Sequence, residues 1–168
     1  MVFSAAAAIA LLLLGASGVG KLVDWKPTSG ALKATNLPSS RRWVWLLGSL
    51  EIGAAAIGLL SRGIWMAPAL LLYAGFTGFT VWAIQRDVPL QSCGCFGKDD
   101  TPPTAIHVVY NTMATFALTF GVVTGSVPIN WTRPFGETLL IFAFAVIGSY
   151  LSYLLLAELP KTLTQARP

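Results

Sequence analysis

Cys93 and Cys95 are the only two cysteines in 168 residues, and a single glycine separates them in the run Cys93-Gly94-Cys95-Phe96-Gly97. Two thiols this close invite disulfide chemistry. A bridge between them closes a very small ring that cannot relax to the preferred disulfide geometry, and strained, accessible disulfides are the easily reduced ones that act as oxidants or isomerases. Gly94 and Gly97 give the backbone the freedom such a turn demands. A structural clip or a pair of ordinary thiols in a turn fits the same residues.

His107 follows twelve positions after Cys95. A histidine beside a thiol takes its proton or stabilises the thiolate, the reactive species. Asn111 lies one helical turn further along the same face. Alternatively, His107 bonds to a carbonyl or water at head-group level. Two thiolates and one imidazole also suit Cu(I) or Zn(II), but a closed tetrahedral site needs further ligands from elsewhere.

Glu51 is the remaining outlier, a single carboxylate near the middle of an apolar run. Near the bilayer centre a carboxylate costs roughly 2.5–3.5 kcal/mol on insertion scales, so it faces inward, finds a partner or stays protonated. Lys21, Tyr73, His107 and Asn111 are its candidate partners; a hydrogen-bonded peg between helices is the structural alternative. The alternative for Lys21 is a solvated interfacial pair with Asp24, three residues further on. Cys93, Cys95, His107 and Glu51 form the candidate catalytic set. The sequence has no P-loop, dinucleotide fingerprint, nucleophile elbow or zinc-protease helix, so hydrolase and kinase readings have no support; no cofactor is expected, and Cu or Zn binding through Cys93 and Cys95 stays a second alternative.

The elements that position these residues follow from composition. Hydrophobic residues make up 55% of the chain and charged residues 11%, against about 25% charged in a soluble domain, and the mean hydropathy is +0.68. This excludes a soluble enzyme and a disordered chain. The net charge of +4 fits phospholipid head groups rather than nucleic acid, because the basic residues flank apolar runs.

Crossing a hydrocarbon core about 30 Å thick takes roughly 20 apolar residues. Five such runs occur, over residues 2–20, 43–60, 64–84, 106–127 and 138–157. They predict an all-α, polytopic membrane protein, a four-helix bundle plus a fifth C-terminal transmembrane helix, in one integral domain spanning 1–168. The first run has small residues at Gly15-Ala16-Ser17-Gly18, as a signal peptide does, but no Lys or Arg precedes it, so it is expected to stay as a helix. Trp25, Trp43, Trp45, Trp65, Trp82 and Trp131 stand near the run ends, where interfacial aromatic belts form.

Between the runs, 21–42 reads as a basic loop broken by Pro27 and Pro38, 61–63 as a tight turn, and 85–104 as a polar connection ended by Pro102-Pro103. Gly121 and Gly125, like Ala54 and Gly58, have the four-residue spacing that lets helices approach closely in lipid. Nine Lys and Arg fall on one side of the bilayer, and Arg62 and Arg133 on the other. The positive-inside rule therefore puts the N-terminus outside, the C-terminus in the cytoplasm and the Cys93–Cys95 turn on the cytoplasmic side of the plasma membrane.

With Lys21-Leu22 closing the first helix, Glu51 within the second and the Cys-Gly-Cys-Phe-Gly turn between the third and fourth, the chain resembles the MauE-type methylamine-utilisation membrane proteins of the wider DoxX-like group, over roughly 11–124. The resemblance implies a four-helix core engaged in thiol redox work that supports maturation of a disulfide-rich dehydrogenase subunit, alongside a thioredoxin-like partner. On this view the chain exchanges electrons with a thioredoxin-like or client protein. The non-enzymatic alternative is an integral subunit or assembly factor of a larger membrane complex.

Overall fold

The computed structural model describes residues 2–88, 102–129 and 134–158. Among them the chain is all helical, in the order α1 (Val2–Val23), α2 (Lys26–Ala34), α3 (Arg41–Leu60), a 3-10 turn (Gly63–Met66), α4 (Ala67–Gln85), α5 (Ala105–Thr124) and α6 (Phe135–Ala157). Five spans are long and apolar enough to cross a membrane: Phe3–Val23, Arg41–Leu60, Gly63–Gln85, Ala105–Thr124 and Gly136–Ala157. The chain is a multi-pass membrane protein.

Helix α1 is the central element, in contact with α3, α5 and α6. Its alanines explain why. Ala7, Ala8 and Ala10 are buried with Leu11 and Leu14, and small side chains let neighbouring backbones come close where lipid supplies no hydrophobic drive for helix association. The Tyr73 hydroxyl of α4 donates to the Ala10 carbonyl at 2.7 Å, and the Ser149 hydroxyl of α6 donates to the Ile9 carbonyl at 3.0 Å. Gly58 receives Leu11, Gly121 receives Met66 and Gly148 receives Ile9. Another face of α6 points outward, with Leu140, Phe144 and Leu151 exposed, while Ala145, Leu156 and Ala157 are buried. Trp43, Trp45, Trp65 and Trp82 are also exposed, as an interfacial belt requires, whereas Trp131 lies outside the described residues.

Two local expectations are corrected. The 21–42 segment is not simply a loop: α1 runs on to Val23, and Pro27 starts α2 instead of breaking a helix, because the N–H a proline lacks is unused in a first turn. Asn36, at φ 57°, then closes α2, with Leu37 N–H donating to the Leu32 carbonyl and Asn36 N–H to that of Lys33, the Schellman arrangement. The third span falls where expected, at Gly63–Gln85, with the 3-10 turn leading into α4 at Ala67. The fourth stops at Thr124, short of the expected 127, because Gly125 takes the left-handed conformation at φ 65°. Gly125 is thus a helix cap with no atom near its would-be Cβ, its Cα lying 3.5 Å from where a Cβ on Gly63 would stand.

Candidate functional site

The closest helix crossing sets the site. A Cβ on Gly18 would lie 2.5 Å from the Gly48 carbonyl oxygen, and one on Gly48 would lie 2.9 Å from that of Gly18. Only glycine permits this approach of α1 to α3. One turn beyond it, Lys21 turns inward: its Nζ lies 3.0 Å from each carboxylate oxygen of Glu51 and donates to Ser17 Oγ at 2.7 Å. The Phe76 ring centroid is 5.7 Å from the same nitrogen. Lys21 and Glu51 are both buried. Glu51 stands ten residues into α3, about 15 Å from its start and hence near mid-bilayer.

Lys21 is therefore the partner of Glu51 among the candidates, and the alternative pairing of Lys21 with Asp24 is not made. Asp24 Oδ1 instead accepts from the Lys26 N–H at 3.2 Å. The reason is helix stagger. Lys21 is level with Gly48, seven residues inside α3, so α1 ends well within the bilayer and its last lysine cannot reach the surface.

The start of α5 is recessed in the same way. Tyr110 faces Tyr73 with ring centroids 6.5 Å apart. Tyr73 is twelve residues from the end of α4, while Tyr110 is only five from the start of α5, a stagger of about 10 Å at 1.5 Å per residue. Thr104 is the N-cap of α5, and His107, at its third position, closes a capping box with it. Nδ1 of His107 accepts from the Thr104 N–H at 3.3 Å and lies 2.9 Å from Thr104 Oγ1. A ring nitrogen that accepts an N–H carries no proton, which assigns the proton of the neutral ring to Nε2. The side chain is buried, not at head-group level, and Asn111 is buried one turn below it.

The two recesses join in a cavity of about 290 Å³. Lys21 of α1, Thr28 of α2, Tyr73 and Phe76 of α4, and His107 and Asn111 of α5 contribute to its wall. Helix α2 covers it, with Ala31 packed on Ala83 beside Phe79 and Val88. Glu51 stands behind Lys21 and is not itself part of the lining. The arrangement holds a neutral ion pair, an imidazole and an amide within aromatic surroundings.

Chain direction puts the end of α1, the whole of α2, the end of α4 and the start of α5 at one end of the bundle. The connection that carries Cys93 and Cys95 leaves α4 at this end and returns to α5 there. Both cysteines lie outside the described residues, and so does the thiolate part of a Cu or Zn site. Among the described residues, no cluster of three or more His, Asp or Glu could hold a metal.

The sequence singles out Glu51, His107 and Asn111, and Lys21 both as a partner of Glu51 and as an interfacial residue, but not Ser17, Thr104 or the Gly18–Gly48 crossing. The signals were present: Ser17 and Lys21 are one turn apart, and glycines at 15 and 18 mark a face made for close approach.

Comparison with curated proteins and with solved structures finds no match. The family described as "Methylamine utilisation protein MauE" matches residues 1–125. That range takes in α1 to α5, ends at the glycine that caps α5, and leaves α6 outside. The chain belongs to the MauE family of membrane proteins.

Proposed function

We propose that this protein is a membrane-embedded thiol-disulfide redox protein whose Cys93–Cys95 pair exchanges electrons with a thioredoxin-like partner or a client protein. A client thiolate attacks the Cys93–Cys95 disulfide to give a mixed disulfide, and the second client thiol displaces it. The client leaves oxidised, and the pair is left as a dithiol that has gained two electrons and two protons. The observation that carries this reading is the convergence of Lys21, His107 and Asn111 on one cavity at the end of the bundle where the cysteine-bearing connection joins α4 to α5. In it the Nε2 proton of His107 stabilises a thiolate of the pair, Nδ1 being held by Thr104, and Glu51 holds Lys21 in place. The family description directs the activity to methylamine utilisation. The charge asymmetry favours a plasma-membrane protein with its C-terminus and cysteine pair in the cytoplasm.

The deciding experiment traps mixed disulfides with Cys93→Ala and Cys95→Ala variants in the native membrane and identifies the attached protein. A thioredoxin-like or cysteine-rich client supports the reading, and its absence from both variants refutes it. The buried Lys21–Glu51–Ser17 cluster favours a second reading, an integral subunit or assembly factor in which Glu51 is a peg and the cysteines are incidental. In that case the thiols do not cycle.

A further inference from the structure

We propose that the cavity between α1, α2, α4 and α5 binds a lipid-soluble quinone, which serves as the two-electron acceptor for the cysteine pair. The acceptor role rests on the thiol-disulfide reading above; the binding site rests on the cavity itself.

Three properties of the cavity select this ligand class. The first is its opening. Leu71 and Gly75 are the exposed members of the lining, both on α4. A Cβ added to Gly75 would meet no atom within 4 Å, so the wall is open there. Gly75 is ten residues before the end of α4, about 15 Å along the helix. The mouth therefore faces hydrocarbon at mid-bilayer depth, not water, and admits molecules dissolved in the bilayer. The second is charge. Lys21, the cation of the wall, already has Glu51 on it at 3.0 Å, so an anionic ligand would bring an unbalanced charge into the membrane. A neutral ligand is selected. The third is shape and polarity. Tyr73, Phe76, Phe79 and Tyr110 form aromatic surfaces that stack on a planar ring, and the Asn111 amide supplies the N–H donor type that a ring carbonyl accepts. At about 290 Å³ the space is at the small end of the roughly 300–1,000 Å³ range of ligand pockets. That suits a single ring with the start of its tail, the remainder lying in the lipid.

The chemistry balances. The Cys93 and Cys95 thiols lose two protons and two electrons as one S–S bond forms. The quinone takes up both protons and both electrons as its two carbonyl oxygens become hydroxyls.

The test uses the full-length protein in lipid nanodiscs with a photoactivatable azidobenzoquinone, and decylubiquinone as competitor. Adducts should map to lining residues such as Phe76 or Tyr110, be abolished by competitor, and fall at least tenfold in Gly75→Phe, whose side chain enters open space and leaves insertion intact. Adducts spread over lipid-facing positions, or insensitive to competitor in the wild-type protein, overturn the site. Reduction of decylubiquinone by the pre-reduced protein, lost in Cys93→Ala, supports the acceptor role. If mixed disulfides with a client are trapped but no competed adduct forms, the quinone site fails and the thiol function stands. If competed adducts form but the cysteines never oxidise, the site stands and the thiol function falls.

Discussion

Lys21 Nζ sits 3.0 Å from both carboxylate oxygens of Glu51, one helical turn past the point where the backbones of Gly18 and Gly48 come together. The two features depend on each other. Without side chains at 18 and 48, α1 approaches α3 closely enough for a lysine near the end of one helix to meet a carboxylate in the middle of the other. The pair is neutral as a unit, which lets both ions remain in a bilayer interior that neither would tolerate alone.

Removing one ion should be worse than removing both. Breaking a buried pair costs about 3–5 kcal/mol because it strands the other charge. Lys21→Met and Glu51→Gln are each expected to lower the thermal midpoint in detergent sharply, and the double variant to recover most of the loss. Equal losses in all three would mean that the ions contribute independently. The well-folded double variant also separates proton chemistry from structure. Slowed oxidation and reduction of Cys93 and Cys95 in it would assign the pair a part in proton movement, whereas unchanged cycling would leave it as support for the cavity wall.

Two glycines of similar sequence context should respond oppositely to alanine. At Gly18 the new methyl group meets a backbone oxygen at 2.5 Å, which no rotamer change relieves, and overpacking of this kind costs about 1–3 kcal/mol. At Gly53 in α3 nothing lies within 4 Å, and an alanine in a helix interior is favoured over glycine by roughly 0.5–1 kcal/mol. Thermal unfolding should therefore place Gly18→Ala below and Gly53→Ala at or above the parent protein. Equal midpoints would deny that the crossing is tight.

The five spans were legible because absence of charge over some twenty residues is a statement about composition, and the bilayer imposes it whatever the packing. Glu51 was legible for the same reason, as the single violation. Lys21 was legible only as one of four candidate partners, with an interfacial pairing to Asp24 as the alternative, because it terminates an apolar run and a linear reading takes the end of a run for the membrane surface. The stagger of α1 against α3 is a property of the pair of helices and appears in neither sequence alone. Pro27 and Gly125 show a related limit. Proline begins a helix or breaks one, and glycine packs or caps, according to positions fixed by neighbouring elements.

Thiol trapping across a series of redox buffers should show Cys93 and Cys95 bridging reversibly at a potential above about −300 mV, the value below which structural disulfides typically lie. The small ring imposed by a one-residue spacer is the physical cause. Cysteines that stay reduced under mild oxidant, or bridged under strong reductant, would remove the basis for electron exchange and leave the subunit reading in its place.

Orientation decides which proteins the cysteine pair can reach. Nine Lys and Arg on the side of α2 and the cysteine connection, against Arg62 and Arg133 on the other, are the ground for the proposed cytoplasmic placement of that side. Five of the nine lie between Lys21 and Arg42, and the buried pairing of Lys21 with Glu51 removes one of them from the aqueous face. The asymmetry of the remaining eight still exceeds that of the opposite side. A membrane-impermeant thiol reagent applied to intact cells should label a cysteine introduced at Arg62, in a Cys93→Ala/Cys95→Ala background, and should reach Cys93 and Cys95 of the parent protein only after permeabilisation. Labelling of Cys95 from outside would invert the topology. The cysteine connection would then lie on the outer side, and the clients would be exported proteins acquiring disulfides after secretion. Inside labelling instead confines the direct clients to cytoplasmic thiols.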